Sequence, residues 1–380
     1  MPGSPDKHIH IISFDVPYPP DYGGVIDVFY KIRALTQAGI KVHLHCFHYG
    51  REKNSMLEKI CYNVSYYGRK NKTNYLFSRK PYIVATRVSP ELIGNLAGDN
   101  YPVIYEGMHT TMSASRKELS GRTLIVRMHN IESGYYANLF RNAGNIRDRL
   151  YFGLEAIKLC HYERNLNANL AIACLSKDDT TYFRERYPGK FRAVKHIPPF
   201  HENSKVRSKP GRGSYVLYHG NLSVCENEKM AMFILEKIAP LINVPFMIAG
   251  KNPSAKILKI TATAGNVKLI SNPDEEEMDN LMLNAQIHLL PAGNVSGMKL
   301  KLLNALYKGR YCITDKAMVR NTGLETLCDT AENPEEYLKI IARRFRMNFE
   351  TGELDKREAL LNQSYSTIHS VRQLIEMAGL

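Results

Sequence analysis

The sequence predicts an α/β protein built from two doubly wound, Rossmann-like halves facing a cleft, with helices at its carboxyl end. Three observations lead there. Short apolar strands alternate with helical stretches along most of the chain, the alternation breaks once at a polar Pro/Gly-rich segment and then restarts, and 380 residues exceed one usual core. Strands separated by helices pair in parallel and need helices on both faces. Ligands of such sheets bind at the carboxyl ends of the strands, so two halves bring their loops to one interface.

Each element follows from local pattern. His8-Ile-His-Ile-Ile-Ser-Phe14 is the first strand, Pro17-Tyr-Pro-Pro-Asp-Tyr-Gly-Gly24 a rigid loop, and Val25 to Ala38 a periodic helix ended by Gly39. Lys41-Val-His-Leu-His-Cys-Phe47 completes a βαβ unit. Further strands are expected near 61–66, 101–105, 123–128, 170–174 and 192–196. The proline-free run Asn145 to Asn169 predicts one long helix, and Ser176 offers a cap to the helix ending at Arg186. Residues 1–200 thus form an amino-terminal domain, and the polar stretch at 201–213 reads as a linker. A second domain over 214–350 has strands at 215–219, 245–249, 267–270, 287–290 and 310–314, with helices at 227–238, 254–261, 274–284 and 299–308. Residues 351–380 read as helices, with Ser366 to Ala378 able to pack back across the first domain.

Composition narrows the class. Seven cysteines, an odd number with no C-x-x-C pair, suit a reducing, cytoplasmic protein without a metal-ligand spacing. Met1 to Lys7 is polar, and no apolar run approaches the roughly 20 residues of a spanning helix, so neither a secretory signal nor a membrane span is expected. The net charge of +14 is uneven: residues 1–200 carry 28 Lys+Arg against 17 Asp+Glu, and residues 201–380 carry 23 against 20. Part of the excess is Arg69, Lys70, Lys72, Arg79 and Lys80, interleaved with Tyr75, Leu76, Phe77 and Tyr82. Basic plus aromatic suits an anionic membrane surface, a peripheral placement at the inner face, with a solvated basic loop as the plain alternative. No helix-turn-helix, zinc-finger or RNP signature accompanies it, so nucleic acid is not an expected partner.

The segment Ile287 to Thr314 reads as strand, glycine loop, basic helix and strand. Gly293 and Gly297 let backbone approach a ligand, a helix starting near Met298 directs free N–H groups at the loop, and Lys299 and Lys301 add charge. An anionic, nucleotide-borne ligand fits, against an ordinary turn with two solvated lysines. Helical positions two apart point about 200° from one another, so only one lysine can face a phosphate from the helix. Lys299 is the first choice and Lys301 the second, with Ser296 and the Gly297 N–H completing the cradle.

In order and spacing the segments resemble the retaining, nucleotide-sugar-dependent glycosyltransferases of the GT-B fold, family 4 (glycosyl transferases group 1), over nearly the whole length. Pro19-Pro-Asp-Tyr-Gly-Gly24 is similar to the family's amino-terminal glycine loop, Leu175-Ser-Lys-Asp-Asp179 to its Val-Ser-x-x-Asp step, and Ile197-Pro-Pro199 to its Ile-Pro-Asn turn. Tyr218-His-Gly-Asn-Leu222, Ile248-Ala-Gly-Lys251 and Val267-Lys-Leu-Ile270 match the first three strands and turns of the donor domain. Tyr105-Glu-Gly-Met-His109 and Arg127-Met-His-Asn-Ile-Glu132 look like a subgroup with Glu-Gly-x-His and Arg-x-His-Asn-x-Glu segments.

The resemblance implies metal-independent transfer of a sugar from a nucleoside-diphosphate sugar, with retention, to a glycan or lipid-linked acceptor; the donor is a co-substrate and no cofactor is required. It implies His109 and Glu106 as catalytic residues, the histidine orienting the donor sugar and the carboxylate holding the loop. Gly220, Asn221, Lys251, Ile270, Ser296, Gly297, Lys299, Lys301 and Asn304 would bind the donor. Gly23, Gly24, His129, Asn130 and Glu132 would serve the acceptor or a phosphate, ionised carboxylates accepting from sugar hydroxyls. Ser296 and Asn304 stand where many members have glutamates, and the usual Arg and Lys after the first donor-domain strand are absent from Gly220-Asn-Leu-Ser-Val-Cys-Glu-Asn227. A non-hydrolysing sugar-nucleotide epimerase and a non-catalytic GT-B partner protein are the remaining readings.

Overall fold

A computed structural model describes residues 6–70, 73–292 and 300–380. These form two units, one of residues up to Glu202 together with Thr367–Leu380, the other running from Asn203 to Ser366.

The first unit contains β1 (His8–Ser13), α1 (Gly23–Gln37), β2 (Lys41–His48), α2 (Ser55–Ile60), β3 (Asn63–Gly68), α3 (Tyr82–Ala85), α4 (Pro90–Ala97), β4 (Val103–Glu106), β5 (Leu124–Met128), α5 (Glu132–Asn142), α6 (Ile146–Arg164), β6 (Leu170–Cys174), α7 (Lys177–Arg186) and β7 (Ala193–His196). All seven strands are parallel, in the order β3-β2-β1-β4-β5-β6-β7. Central strands are buried on both faces, as their continuous apolar composition requires. The order reverses between β1 and β4, the switch point beside which sheets of this kind bind ligands.

The second unit contains β8 (Val216–His219), α8 (Cys225–Phe233), β9 (Phe246–Gly250), α9 (Ala255–Thr263), β10 (Val267–Ser271), α10 (Glu275–Asn284), β11 (Ile287–Leu290), α11 (Leu300–Lys308), β12 (Tyr311–Thr314), α12 (Lys316–Val319), β13 (Asp329–Thr330), α13 (Pro334–Arg344) and α14 (Thr351–Tyr365). Its strands are parallel in the order β10-β9-β8-β11-β12-β13, reversing between β8 and β11. The last helix, α15 (Thr367–Ala378), joins the first unit: Leu374, Met377 and Ala378 enter the core that contains Val28, Ile32 and Leu35 of α1.

Several boundaries differ from the sequence reading. The long helix begins after the Asn145 cap, which accepts from Asp148 N–H, and stops at Arg164. The helix expected over 227–238 starts at Cys225 and widens into a π turn over Ile234–Ile238. The expected linker is bound from Asn203 onward: Arg207 makes a two-pronged ion pair with Asp279 (2.7 and 3.1 Å), and Gly211 bridges to Phe349. Residues 351–380 divide, since α14 belongs to the second unit through buried Arg357, which donates to Ser208 and the carbonyls of Leu306 and Gly309.

Candidate functional site

In the first unit a fully buried charge cluster lies at the switch point between β1 and β4. Lys31 of α1 places its ammonium 3.1 Å from Asp27 Oδ2, one helical turn away, and 2.6 Å from Glu106 Oε1 at the end of β4. Arg127 of β5 grips Asp27 with Nη2 at 2.9 Å and Nε at 3.1 Å, and also donates to the carbonyls of Ile197 and Pro198. Phe200 N–H donates to Asp27 at 2.9 Å, so the Ile197–Phe200 turn closes over the same group. Asp27, Lys31, Glu106 and Arg127 are each wholly buried. Burial pushes the Asp27 carboxyl up, but Arg127 and Lys31 outweigh it and hold the group well below the usual carboxylate range.

This cluster aims a histidine. His129, just past β5, has Nε2 2.9 Å from Glu106 Oε2, and the Phe14 ring meets it edge-on at 5.5 Å. Asp27, Glu106 and His129 together could chelate a cation. The Lys31 ammonium lies against both carboxylates and supplies that positive charge itself.

His109 follows β4 on a short 3₁₀ turn, Met108–Ser113. Gly107 makes the reversal with φ +64°, and a Cβ there would lie 2.7 Å from His109 Nδ1. That Nδ1 is buried without a hydrogen-bond partner, and the ring lies 5.3 Å from Phe14. Burial, then the nearby Arg87 charge, pushes the imidazole well below its ordinary range, so it is neutral at pH 7. Arg87 is itself buried and donates to the carbonyls of Phe14 and Ile83.

The structure revises several expected roles. Glu106 is wholly buried between Lys31 and His129, an arrangement that suits positioning the histidine. Glu132, the first residue of α5, is buried; desolvation raises it to about 8, with Asp179 and Glu163 adding to the rise and Arg87 opposing it. It therefore carries a proton at neutral pH and is a donor rather than the ionised acceptor anticipated. Gly24 makes room for the protein itself: a Cβ would lie 2.7 Å from the Phe14 ring. Gly23 opens α1 on the surface, with no side-chain cap at its start, and Asn130 is partly exposed beside His129.

In the second unit the turn after β8 lies at the β8/β11 switch point. Lys301 of α11 reaches it: Nζ is 2.6 Å from Asn227 Oδ1 and 5.4 Å from the Tyr218 ring centroid. Burial lowers this lysine to about 8. Asn227 also donates to the Asn221 carbonyl, and Asn221 Oδ1 accepts from Ser223, so the turn from Gly220 is braced internally. Gly250 packs so closely behind it that a Cβ would lie 1.8 Å from the Gly220 carbonyl oxygen. Lys251 is exposed on the next turn, its carbonyl accepting from Leu222 N–H at 2.9 Å. Asn304 is held by Asn203 at 2.8 Å, and Ile270 is half-buried on edge strand β10. Ser296, Gly297 and Lys299 lie outside the described residues.

Lys301, the second choice from sequence, is thus the described cation at this turn. Asp27 and Lys31 escaped the sequence reading of the site, and Arg127 entered it only as the first residue of the Arg-x-His-Asn-x-Glu segment, without a role. The available signal was charge where periodicity demands apolar residues: Arg127 inside Leu-Ile-Val-Arg-Met, and Asp27 and Lys31 on the core-facing side of α1.

Solved structures similar to this chain decide the fold. HepE of Anabaena, solved with UDP and glucose, aligns over 98% of this chain and 99% of its own, with TM-score 0.64 and 12% identity. A mutant of S. aureus TarM, in complex with Fondaparinux, alpha-GlcNAc-glycerol and UDP, aligns over 98% and 100%, with TM-score 0.67 and 11% identity. This is the GT-B fold. Within it, residues 213–345 match the family model of the glycosyl transferases group 1, which spans β8 to α13 and includes Lys301. An uncharacterized 44.6 kDa protein in the cps region of Klebsiella pneumoniae is 26% identical over 334 residues, 83% of this chain and 84% of its own.

Chemically, this GT-B chain offers two distinct environments. The first unit supplies neutral or hydrogen-bonding groups, His109, His129 and protonated Glu132, suited to hydroxyl recognition. The second supplies a desolvated ammonium at a glycine turn, suited to an anion.

Proposed function

We propose that the protein transfers a sugar from a nucleoside-diphosphate sugar to an acceptor hydroxyl. The observation that carries this reading is Lys301, a desolvated ammonium directed at the Gly220–Asn227 turn inside the segment that matches the glycosyl transferases group 1. A leaving diphosphate gains negative charge as the glycosidic bond breaks, and a preorganised cation in a low-dielectric site stabilises that charge more than the ground state. Lys251 and Lys299 are the proposed further phosphate ligands, and Gly220, Asn221, Ile270, Ser296, Gly297 and Asn304 the remaining donor contacts.

His109 orients a sugar hydroxyl as a neutral imidazole, and His129, positioned by Glu106, hydrogen-bonds a second hydroxyl. The leaving phosphate accepts the acceptor's proton. We assign retention of anomeric configuration by resemblance to family 4. Metal independence is supported by lysine charge at the donor turn and by Lys31 between the buried carboxylates. The relative from a cps region supports a glycan or lipid-linked acceptor in polysaccharide biosynthesis.

A thermal-shift screen of nucleoside diphosphates and their sugars tests the reading. One donor should stabilise the protein and release its nucleoside diphosphate on incubation with acceptor, and Lys301→Met should lose both effects. A non-catalytic GT-B protein is the second reading, favoured by Ser296 and Asn304 in place of carboxylates. Stabilisation by no nucleotide at all would favour it over transfer, whereas epimer formation from a nucleotide sugar without acceptor would point to an epimerase.

A further inference from the structure

α6 carries its side chains the wrong way round for a packed helix. Glu155 and Glu163 are buried beside Leu159, whereas Ile146, Leu150, Leu154 and Ile157 are each at least 60% exposed. Spacings of four, four and three set these aliphatics within about 80° of the helix circumference. The rotation is fixed by specific bonds. Glu155 accepts from Tyr82 N–H at 2.7 Å, and Glu163 accepts from the Tyr182 and Tyr187 hydroxyls at 2.7 and 2.8 Å.

The border of the stripe is basic. Helical phase puts Arg147 and Lys158 along one side and Arg149 along the other, with Asp148 on the far face. Lys158 is paired with Glu155 at 2.9 Å and also donates to the Leu76 carbonyl at 2.7 Å, tying to α6 the Thr73–Phe77 turn, on which Phe77 is 90% exposed. A pocket of about 330 Å³ at the carboxyl-terminal end of the same helix is lined by Arg79, Lys80, His161 and Asn165. Among the described residues no carboxylate pairs with Arg79, Lys80, Arg147, Arg149 or Arg164.

We propose that this face docks on an anionic lipid bilayer, with the α6 stripe and Phe77 at the acyl boundary and a headgroup phosphate in the Arg79/Lys80 pocket. An apolar strip edged by cations is the composition an interfacial helix needs. A second copy of the chain fits poorly, because a two-fold contact would press these same unpaired cations together. Of the patch expected from sequence, Arg69 is withdrawn: it lies over the Tyr49 ring at 4.3 Å and donates to Thr86. Lys70 is exposed, and Lys72 lies outside the described residues.

The test needs neither donor nor transfer. Full-length protein is floated with vesicles of phosphatidylcholine, with and without phosphatidylglycerol, at low and high salt. The wild type should bind only the anionic vesicles and weaken with salt. Leu150→Ser/Leu154→Ser/Ile157→Ser should weaken binding about tenfold or more, and Arg79→Gln/Lys80→Gln/Arg147→Gln should remove the preference for anionic lipid. Because all six side chains are on the surface, an unchanged melting temperature should accompany both losses. Failure of the wild type to bind anionic vesicles, or undiminished binding by the serine variant, would overturn the proposal. So would a wild-type dimer in sedimentation velocity that the serine variant converts to monomer.

Discussion

Replacing Lys31 by Met should be among the most damaging single changes in the first unit. The ammonium lies 2.6 Å from Glu106 and 3.1 Å from Asp27, all three side chains wholly buried. At an effective dielectric of ~20 these contacts represent about 6 and about 5 kcal/mol of gross attraction, largely offset by desolvating the charges. Methionine has nearly the same shape, so the packing loss is small and the effect is electrostatic. Asp27 keeps Arg127, but Glu106 is left with His129 alone, an orphaned buried charge that costs about 3–5 kcal/mol. Hydrogen exchange of peptides covering α1 and β5 across a urea series reads this unit directly. Lys31→Met should lose that amount at pH 7 and less at lower pH, where the orphaned carboxylate takes a proton. Adding Glu106→Gln should recover at least about 1.5 kcal/mol. A Lys31→Met protein within about 1 kcal/mol of wild type would refute the argument that the cluster is held by mutual compensation.

Other outcomes follow from the same reasoning. His10 and His45 are bonded at 2.9 Å and buried, and desolvation lowers them to about 4 and about 3 despite Asp99. Their folded forms bind fewer protons than the unfolded chain, so stability holds above pH 6.5 and falls as pH drops toward 4, by about 2 kcal/mol per histidine at pH 5; exchange of β1 and β2 amides should show this, with a shallower slope in His45→Gln. Gly250→Ala meets the Gly220 carbonyl oxygen and should cost the second unit about 3 kcal/mol or more in urea unfolding, whereas Gly265→Ala, with open space around it, should stay within about 0.5 kcal/mol. Because Lys301 titrates near 8, nucleoside-diphosphate affinity should fall as pH rises through that value, and a pH-independent affinity between 7 and 9 would remove Lys301 from the phosphate site.

Much of the fold was legible because parallel strands buried on both faces write themselves as apolar runs. Val103–Glu106, Leu124–Met128 and Leu170–Cys174 all fall near their expected places. The site was less legible because its chemistry depends on long-range pairing. Asp27 and Lys31, four apart on the core-facing side of α1, gain their meaning only when Arg127 and Glu106 arrive from strands about 100 and 75 residues away. The contact of Lys301 with Asn227 is not written in any local pattern, because the two residues are 74 apart in the chain. For α6 the sequence predicts the helix but not its rotation, because the hydroxyls of Tyr182 and Tyr187, which draw Glu163 inward, belong to α7 and the residue after it.

The central claim is that the second unit holds a nucleoside diphosphate through Lys301. Titration calorimetry of the full-length protein with UDP, GDP, ADP and dTDP, in wild type and Lys301→Met, tests it most directly. One diphosphate should bind saturably to the wild type, and the substitution should weaken it about tenfold or more, roughly 1.4 kcal/mol, without changing the fold. No binding by any of the four, or equal affinity in both proteins, would contradict the account.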